Sequence, residues 1–599
     1  MNDAGLSVMQ ALLWALAVGA PTATLVLLAA TASRDRRANV RARRVLIRIA
    51  PATTAPAGLL ALVGPAAGVL DAPWLVLGTR LEVDELGRPL LLLAAVLYGT
   101  ALTAVAFSTT PRAHLLSAFL LLSFLGNSGV FLAADTVSFY VSFAVMSLAA
   151  YGCVVHTRSE SARRAGRVYL VLTMISEMAV LSALVLVVAA GGALVTDAPA
   201  AVANSELRNV IVALLLVGFG IKAGSVPLHV WLPLAHPAAP PAASAVLSGA
   251  MVKAGLIGWL RFLPLGEVAL PGWGLTLTVL ALSGAFLALP LGVLHSDPKV
   301  PLAYSTISQM GFLAMLVGIA LGQPDLAPAC VLAAVVYAVH HGVAKGGLFL
   351  GVAIWQRHYA GRWRLVVLAV LALLAIAVAG APLGSGAVAK YAAKQAVAPV
   401  ALGPVQLADL LPWVGTVSTL LLARAGWVLI HGKQGPTHHP DPALYSWVVL
   451  ALLGSGATWL LAERWAPLVS VPGLDAVTVW DASWPVLVGV LLAAAVWALS
   501  HAELLPRRLG HPDGTLLPAG DLVVVEEAAL TRVVAAARRA GSWSAAGLTA
   551  RVAERLTPRR LPVAGDRFEM ALSGWITSGL AIITVAAMLG LALLLGWRS

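Results

Sequence analysis

The sequence predicts an all-α polytopic membrane protein, and three observations carry that reading. Hydrophobic residues fill 60% of the 599 positions and charged residues only 11%, whereas a soluble chain of this size carries roughly 25% charged residues. The mean hydropathy is +0.89. Apolar runs of about 20 residues recur along the whole length, each able to cross a hydrocarbon core ~30 Å thick. These runs are continuous rather than alternating. That selects helices over barrel strands, the two arrangements whose backbones satisfy their own hydrogen bonds in lipid.

Spanning helices are expected at 6–30, 46–70, 88–107, 113–134, 136–156, 167–190, 207–232, 242–262, 271–294, 299–321, 327–355, 363–400, 408–431, 444–462, 483–503 and 570–597, about sixteen in all. The first run lacks a basic leader and a cleavage site, so it reads as a retained helix. Gly224, Ser225 and Pro227 break the seventh helix; Gly380, Pro382, Gly384 and Gly386 break the twelfth. The segment 520–557 interleaves Val523–Val525, Leu530 and Val533 with Glu526, Arg532, Arg538 and Arg539. That is the pattern of an amphipathic helix with a basic face, lying along the membrane surface or bracing a partner.

Loop charge sets the orientation. With the N-terminus outside, the arginine-rich loop Arg34–Arg44, Arg158–Arg167, Lys299, Arg357–Arg364, Lys433 and the segment 504–566 all lie inside. The loops 191–205 and 463–482 are poor in Lys and Arg and lie outside. An inner, cytoplasmic membrane location follows as an expectation. The net charge of +12 resides in these loops, so it orients helices and does not indicate nucleic-acid binding.

Two cysteines, Cys153 and Cys330, lie in apolar runs, with no CxxC and no haem-attachment motif. No P-loop, GxGxxG junction or HExxH is present. The reading is therefore of a chain without its own catalytic centre, cofactor or metal, driven by a partner.

The lysines are distributed unlike the arginines. Only seven residues are Lys, and Lys222, Lys253, Lys345, Lys390 and Lys394 lie within apolar helices, while arginine supplies the loop charge. Arginine stays protonated at any accessible pH, whereas desolvation lets an ammonium lose its proton. A charge at a helix centre is costly and marks function by default. His340 and His341 sit one turn before Lys345, and His341 and Lys345, four apart, share a helix face. Imidazole titrates near neutrality and relays protons between its two nitrogens. Glu177, in TMISEMAVL, is the expected counter-charge for Lys222. His229 and His236 flank the broken seventh helix, where relay and interface roles are equally open.

At these residues the chain resembles the proton-translocating antiporter-like family: the large membrane subunits of respiratory complex I, of Mrp-type cation/proton antiporters and of energy-converting hydrogenases. The resemblance rests on KAGSVPLHVWLPLAHPAAPPAASAVLSGAMVKAG at 222–255, DPKVPLAYSTISQMG at 297–311, HGVAKGGLFL at 341–350 and GAPLGSGAVAK at 380–390. It implies two inverted five-helix repeats, 111–265 and 266–432. N-terminal helices 1–110 would precede them, and helices at 433–503, the amphipathic segment 504–566 and an anchor helix at 567–599 would follow.

The resemblance places key lysines at Lys222 and Lys390, a connecting relay at Lys253, His341 and Lys345, and a structural acid at Asp84. One departure stands out. The family's fifth-helix glutamate is replaced by Ala144 in SFAVMSLAAY, leaving Glu177 as the candidate partner of Lys222. Tyr337 holds a position often occupied by histidine, and His340 is additional.

The expected function is movement of protons, or cation/proton exchange, along Lys222, Lys253, His340, His341, Lys345, Lys390 and Glu177, with Lys394, His229, His236 and Lys299 as secondary groups. The expected partners are the lipid bilayer, other membrane subunits and a peripheral energy-coupling or enzymatic subunit. Two alternatives remain: the proton-conducting half of an inorganic-carbon uptake complex, and a membrane scaffold whose channel has degenerated.

Overall fold

The computed structural model describes residues 7–510 apart from 33–36, 76–77, 433–436, 438 and 467, together with 512–514, 516, 519–520 and 523. The chain divides after Leu522. The expected surface helix at 520–557 and anchor helix at 570–597 lie, but for 520 and 523, outside the described residues, as does Lys433.

Among the described residues, 13 helices are long and apolar enough to cross a membrane. They correspond to thirteen of the sixteen expected. The other three are the two broken helices and the C-terminal one. In order the segments are α1 (Val8–Ala32), α2 (Ala38–Ala67), α3 (Gly87–Ala106), α4 (Ala113–Leu132), α5 (Thr136–Val154), α6 (Glu160–Ala189), α7a (Arg208–Ala223), α7b (Trp231–Ala238), α8 (Pro241–Phe262), α9 (Pro271–Gly292), α10 (Lys299–Gly322), α11 (Ala327–His358), α12a (Trp363–Ala379), α12b (Ser385–Ala396), α13 (Pro412–His431), α14 (Pro442–Trp465) and α15 (Ala476–His501). Among the described residues the β-structure is two two-stranded hairpins, at Leu70–Leu81 and Ala401–Gln406, and two isolated bridges, Leu81–Ala133 and Asp135–Leu194.

The arginine-rich stretch expected as a loop is helical from Arg37. Asn39, Leu46 and Ile47 turn inward while Arg41, Arg44 and Arg48 face outward. An amphipathic stripe this short is outweighed in the sequence by its charge, which is why it reads as loop. A turn of 3-10 helix at Ala50–Thr54 then leads into Ala55–Val63.

Helix starts follow capping chemistry. Asp135 accepts from Ser138 N at 2.7 Å to open α5 and from Arg80 N at 2.8 Å across the loop; Ser159 accepts from Ala162 N at 3.1 Å to open α6.

Both expected breaks are present, each at a glycine with positive φ. Gly224 (φ 72°) ends α7a and Gly380 (φ 93°) ends α12a, a conformation that favours glycine at a helix C-terminus. A break in lipid exposes carbonyls that must be met from elsewhere. The indole of Trp231 donates to Ile221 O at 2.7 Å, and the Lys390 ammonium to Ala379 O at 2.7 Å. α8 is also irregular: Leu247–Met251 forms a π-turn, a local widening that recurs at functional positions.

The bundle is densest around α8 and α10, whose apolar windows are 100% and 94% buried, and thins toward α15, at 11%. Small residues set the closest approaches. A Cβ added at Gly255 would meet Phe219 O at 2.5 Å and Ala223 N at 2.6 Å, so α8 lies directly against the end of α7a. A partly buried polar latch holds the N-terminal helices to this centre. Asp84 accepts from Gly87 N at 2.6 Å, opening α3, and from Arg261 of α8 at 2.8 Å. The same guanidinium donates to Phe131 O at 2.8 Å and Ala133 O at 2.5 Å at the end of α4.

Candidate functional site: a row of buried lysines and histidines

The sequence marks the lysines by depth; the fold buries Lys222, Lys253 and Lys345 and leaves Lys390 and Lys394 partly buried. Lys253, His340, His341 and Lys345 are 0% exposed, and Lys222 is 3% exposed. Their partners come from neighbouring helices and fall into three groups.

The central group is one connected network. The Lys253 ammonium on α8 donates to Ser248 O at 2.8 Å and lies 2.7 Å from Nδ1 of His341 on α11. A single hydrogen bond therefore separates an ammonium from an imidazole nitrogen. Thr306 of α10 donates to Leu302 O at 3.1 Å, so its hydroxyl accepts from Ser248 Oγ, 2.8 Å away. Leu302 O also accepts from the Lys345 ammonium at 2.7 Å. His341, Lys253, Ser248, Thr306 and Lys345 are thus linked across α11, α8 and α10: Ser248 meets Lys253 through its backbone O and Thr306 through its hydroxyl, and Thr306 and Lys345 share the Leu302 carbonyl. The π-turn of α8 carries Ser248 itself. A ring face adds to the fit, with the Lys345 ammonium 5.6 Å from the Phe349 ring centre.

The first flanking group surrounds Lys222 in the last turn of α7a. Its ammonium donates to the Tyr169 hydroxyl at 3.2 Å, and Tyr169 donates onward to Ser147 O at 3.0 Å. It lies 5.6 Å from the Phe143 ring centre and 5.5 Å from that of Tyr169. Glu177, buried on α6, is the carboxylate that acts on Lys222 through charge, without a direct salt bridge between them. Neither carboxyl oxygen has a hydrogen-bond partner among the described residues. Aromatic faces and a phenol, with Phe143 adjoining Ala144 in the chain, stand where a carboxylate was expected.

The second flanking group lies at the other break. His340 Nδ1 is 2.8 Å from the Ser385 hydroxyl at the start of α12b. Five residues further along α12b, the Lys390 ammonium holds the last carbonyl of α12a. Lys390 lines a cavity of about 70 Å³ together with Gly380, Lys394 and Asp481. That is room enough to admit water. At its margin the Lys394 ammonium pairs with Asp481 at 2.8 Å, the two side chains 30% and 48% exposed. Beside this group runs a second buried thread. Tyr337 donates to Gln309 Oε1 at 2.6 Å, and Gln309 donates to Ser418 Oγ at 2.8 Å.

Three secondary candidates stand apart from these groups. Lys299 donates to Pro237 O and Ala239 O, both at 2.8 Å, and so fastens the C-terminus of α7b. His236 stacks on Phe349 with centroids 4.4 Å apart. His229 is buried in the turn between α7a and α7b.

Sequence reasoning missed Tyr169, Ser248, Thr306, Gln309, Ser385 and Asp481. Thr306 and Gln309 lie inside the quoted YSTISQMG stretch, where a hydroxyl and an amide within an apolar run were the available signal.

With this geometry in view, comparison with known proteins is direct. Residues 133–397 match the family described as "NADH:quinone oxidoreductase/Mrp antiporter, TM". That segment contains every residue of the three groups except Ser418 and Asp481. Over that segment the chain is similar to the antiporter-like membrane subunits.

Hydrogenase-4 component B of Escherichia coli (strain K12) is 34% identical over 222 residues, covering 36% of this chain and 33% of that protein. A Na(+)/H(+) antiporter subunit of Alkalihalophilus pseudofirmus is 32% identical over 241 residues, covering 39% of this chain and 47% of that one. The match thus spans a third to a half of these curated relatives' length. The solved Mrp complex from Dietzia sp. DQ12-45-1b superposes with a TM-score of 0.67 at 22% identity, covering 97% of this chain and 63% of its counterpart. At that identity the likeness describes the antiporter-like fold.

Proposed function

We propose that this antiporter-like chain is the proton-translocating membrane subunit of a larger energy-coupled complex. The observation that carries the reading is the buried thread from His341 and Lys253 through Ser248 and Thr306 to Lys345. An ammonium that close to an imidazole in a fully buried site exchanges a proton when nearby charge changes, since each added charge destabilises its neighbour's charged form. Lys222 serves as the inner station and Lys390 as the outer one. Protons leave by the cavity between Lys390 and the Lys394–Asp481 pair.

In this reading the two broken helices head two inverted repeats, 111–265 and 266–432. The N-terminus faces outward across the inner membrane, and the segment 504–566 lies inside. Other membrane subunits and a peripheral enzymatic or energy-coupling subunit supply the driving force. Exchange against sodium or potassium is the variant that the antiporter relatives favour.

The missing Lys222–Glu177 ion pair favours a second reading, in which the first half is silent and the second alone conducts. Proton uptake by inverted vesicles holding the intact complex, followed with a pH-sensitive dye with and without sodium, tests both. Lys390→Ala is expected to abolish uptake. Lys222→Ala abolishes it in the first reading and spares it in the second. Uptake at the normal rate in Lys390→Ala, with the complex assembled, overturns the proposal.

A further inference from the structure

A second polar cavity lies away from the lysine row, where the end of α3 and the starts of α2 and α4 meet. Its volume is about 270 Å³ and it is lined by Val40, Arg43, Arg44, Ile47, Val105, Ala106, Ser108, Ala113 and His114. At ~30 Å³ per water, that space is far larger than a single bound ion needs. Its chemistry is two-sided. Arg43, Arg44 and His114 supply nitrogen donors, and no carboxylate is among the described residues that line it. Val40, Ile47, Val105 and Ala106 supply an apolar wall.

The local fold adds to this polarity. α4 begins at Ala113, so the positive end of its dipole falls at the cavity rim. Arg43 is held there by donating to Thr31 O from both Nε and Nη2. Arg44 projects outward from the helix face. All three helix ends belong to apolar membrane-crossing segments, which places the cavity at one edge of the hydrocarbon layer.

We infer that this cavity is a binding site for an anionic phospholipid, with the phosphate between Arg43, Arg44 and His114 and the acyl chains along Val40, Ile47 and Val105. A phosphate oxygen is an acceptor that guanidinium matches in geometry and charge, and a basic pocket between membrane helices is suited to acidic head groups. An apolar wall within the same cavity favours a ligand with a hydrocarbon tail over a soluble anion.

Native mass spectrometry of the full-length protein, exchanged into detergent containing either phosphatidylglycerol or phosphatidylcholine, tests the site. Wild type is expected to retain phosphatidylglycerol selectively. Arg44→Ala, which leaves the Arg43–Thr31 contact in place, is expected to weaken that binding about fivefold while phosphatidylcholine binding is unchanged. His114→Ala serves as a second variant from a different helix and is expected to act in the same direction. Equal retention of phosphatidylglycerol by wild type and both variants overturns the inference. So does full displacement by inorganic phosphate, which marks the site as one for a soluble anion.

Discussion

Replacing Thr306 by valine removes one hydroxyl from the middle of the central thread and keeps the side chain's shape. In the wild type this hydroxyl accepts from Ser248 at 2.8 Å and donates to Leu302 O at 3.1 Å, in a site with no exposure. Valine leaves the Ser248 hydroxyl buried without its partner, a cost of about 1–3 kcal/mol. If this link fixes the Lys253 and Lys345 ammonium groups for proton exchange, part of that loss appears in the barrier to transfer. A rise of about 1–2 kcal/mol corresponds to a rate about 5–30-fold lower. The assay is proton uptake by inverted vesicles, normalised to the amount of assembled complex. Thr306→Ser restores the hydroxyl and is expected to recover most of the rate. Normal uptake in Thr306→Val, or a Thr306→Ser variant as slow as the valine one, refutes a positioning role for the Ser248–Thr306 bond in proton transfer.

Three further predictions address the scaffold. Arg261→Met removes the guanidinium that joins Asp84 to the end of α4. Thermal unfolding in detergent should show a loss of about 2–4 kcal/mol, the lower part of that range reflecting the 34% exposure of Asp84; an unchanged midpoint contradicts the latch. Gly255→Ala drives a methyl group against Phe219 O and Ala223 N and is expected to destabilise by about 1–3 kcal/mol, read as a lower yield of monodisperse protein. Asp481→Asn breaks a half-exposed pair, so stability should change by no more than ~1 kcal/mol; a larger drop in the melt assigns Asp481 a structural role instead.

Much of this architecture was legible in the residues, for identifiable physical reasons. Long apolar runs have one stable outcome in lipid, so helix positions followed from length alone. Gly224 and Gly380 punctuate two of those runs, and both mark the breaks. Lysine set deep in apolar sequence identified Lys222, Lys253, Lys345 and Lys390, because such a charge is costly without a role.

The connections between them were not legible. Ser248 and Thr306 resemble the many hydroxyl residues that bond back to their own helix, and only the packing of α8 on α10 makes them neighbours. Charge alone pointed from Lys222 to Glu177, which does act on it electrostatically, but not to Tyr169 and Phe143, which the fold sets beside the same ammonium. The helix at Arg37–Ile49 escaped notice because its charge obscures its inward face.

The central claim is that these ammonium groups release and regain a proton, and Lys253→Arg tests it most directly. Guanidinium keeps the positive charge and hydrogen-bonding capacity but does not deprotonate at accessible pH. In vesicles with normally assembled complex, Lys253→Arg is expected to reduce proton uptake to background. Uptake at the wild-type rate would show that the charge at this position suffices and that no proton leaves it.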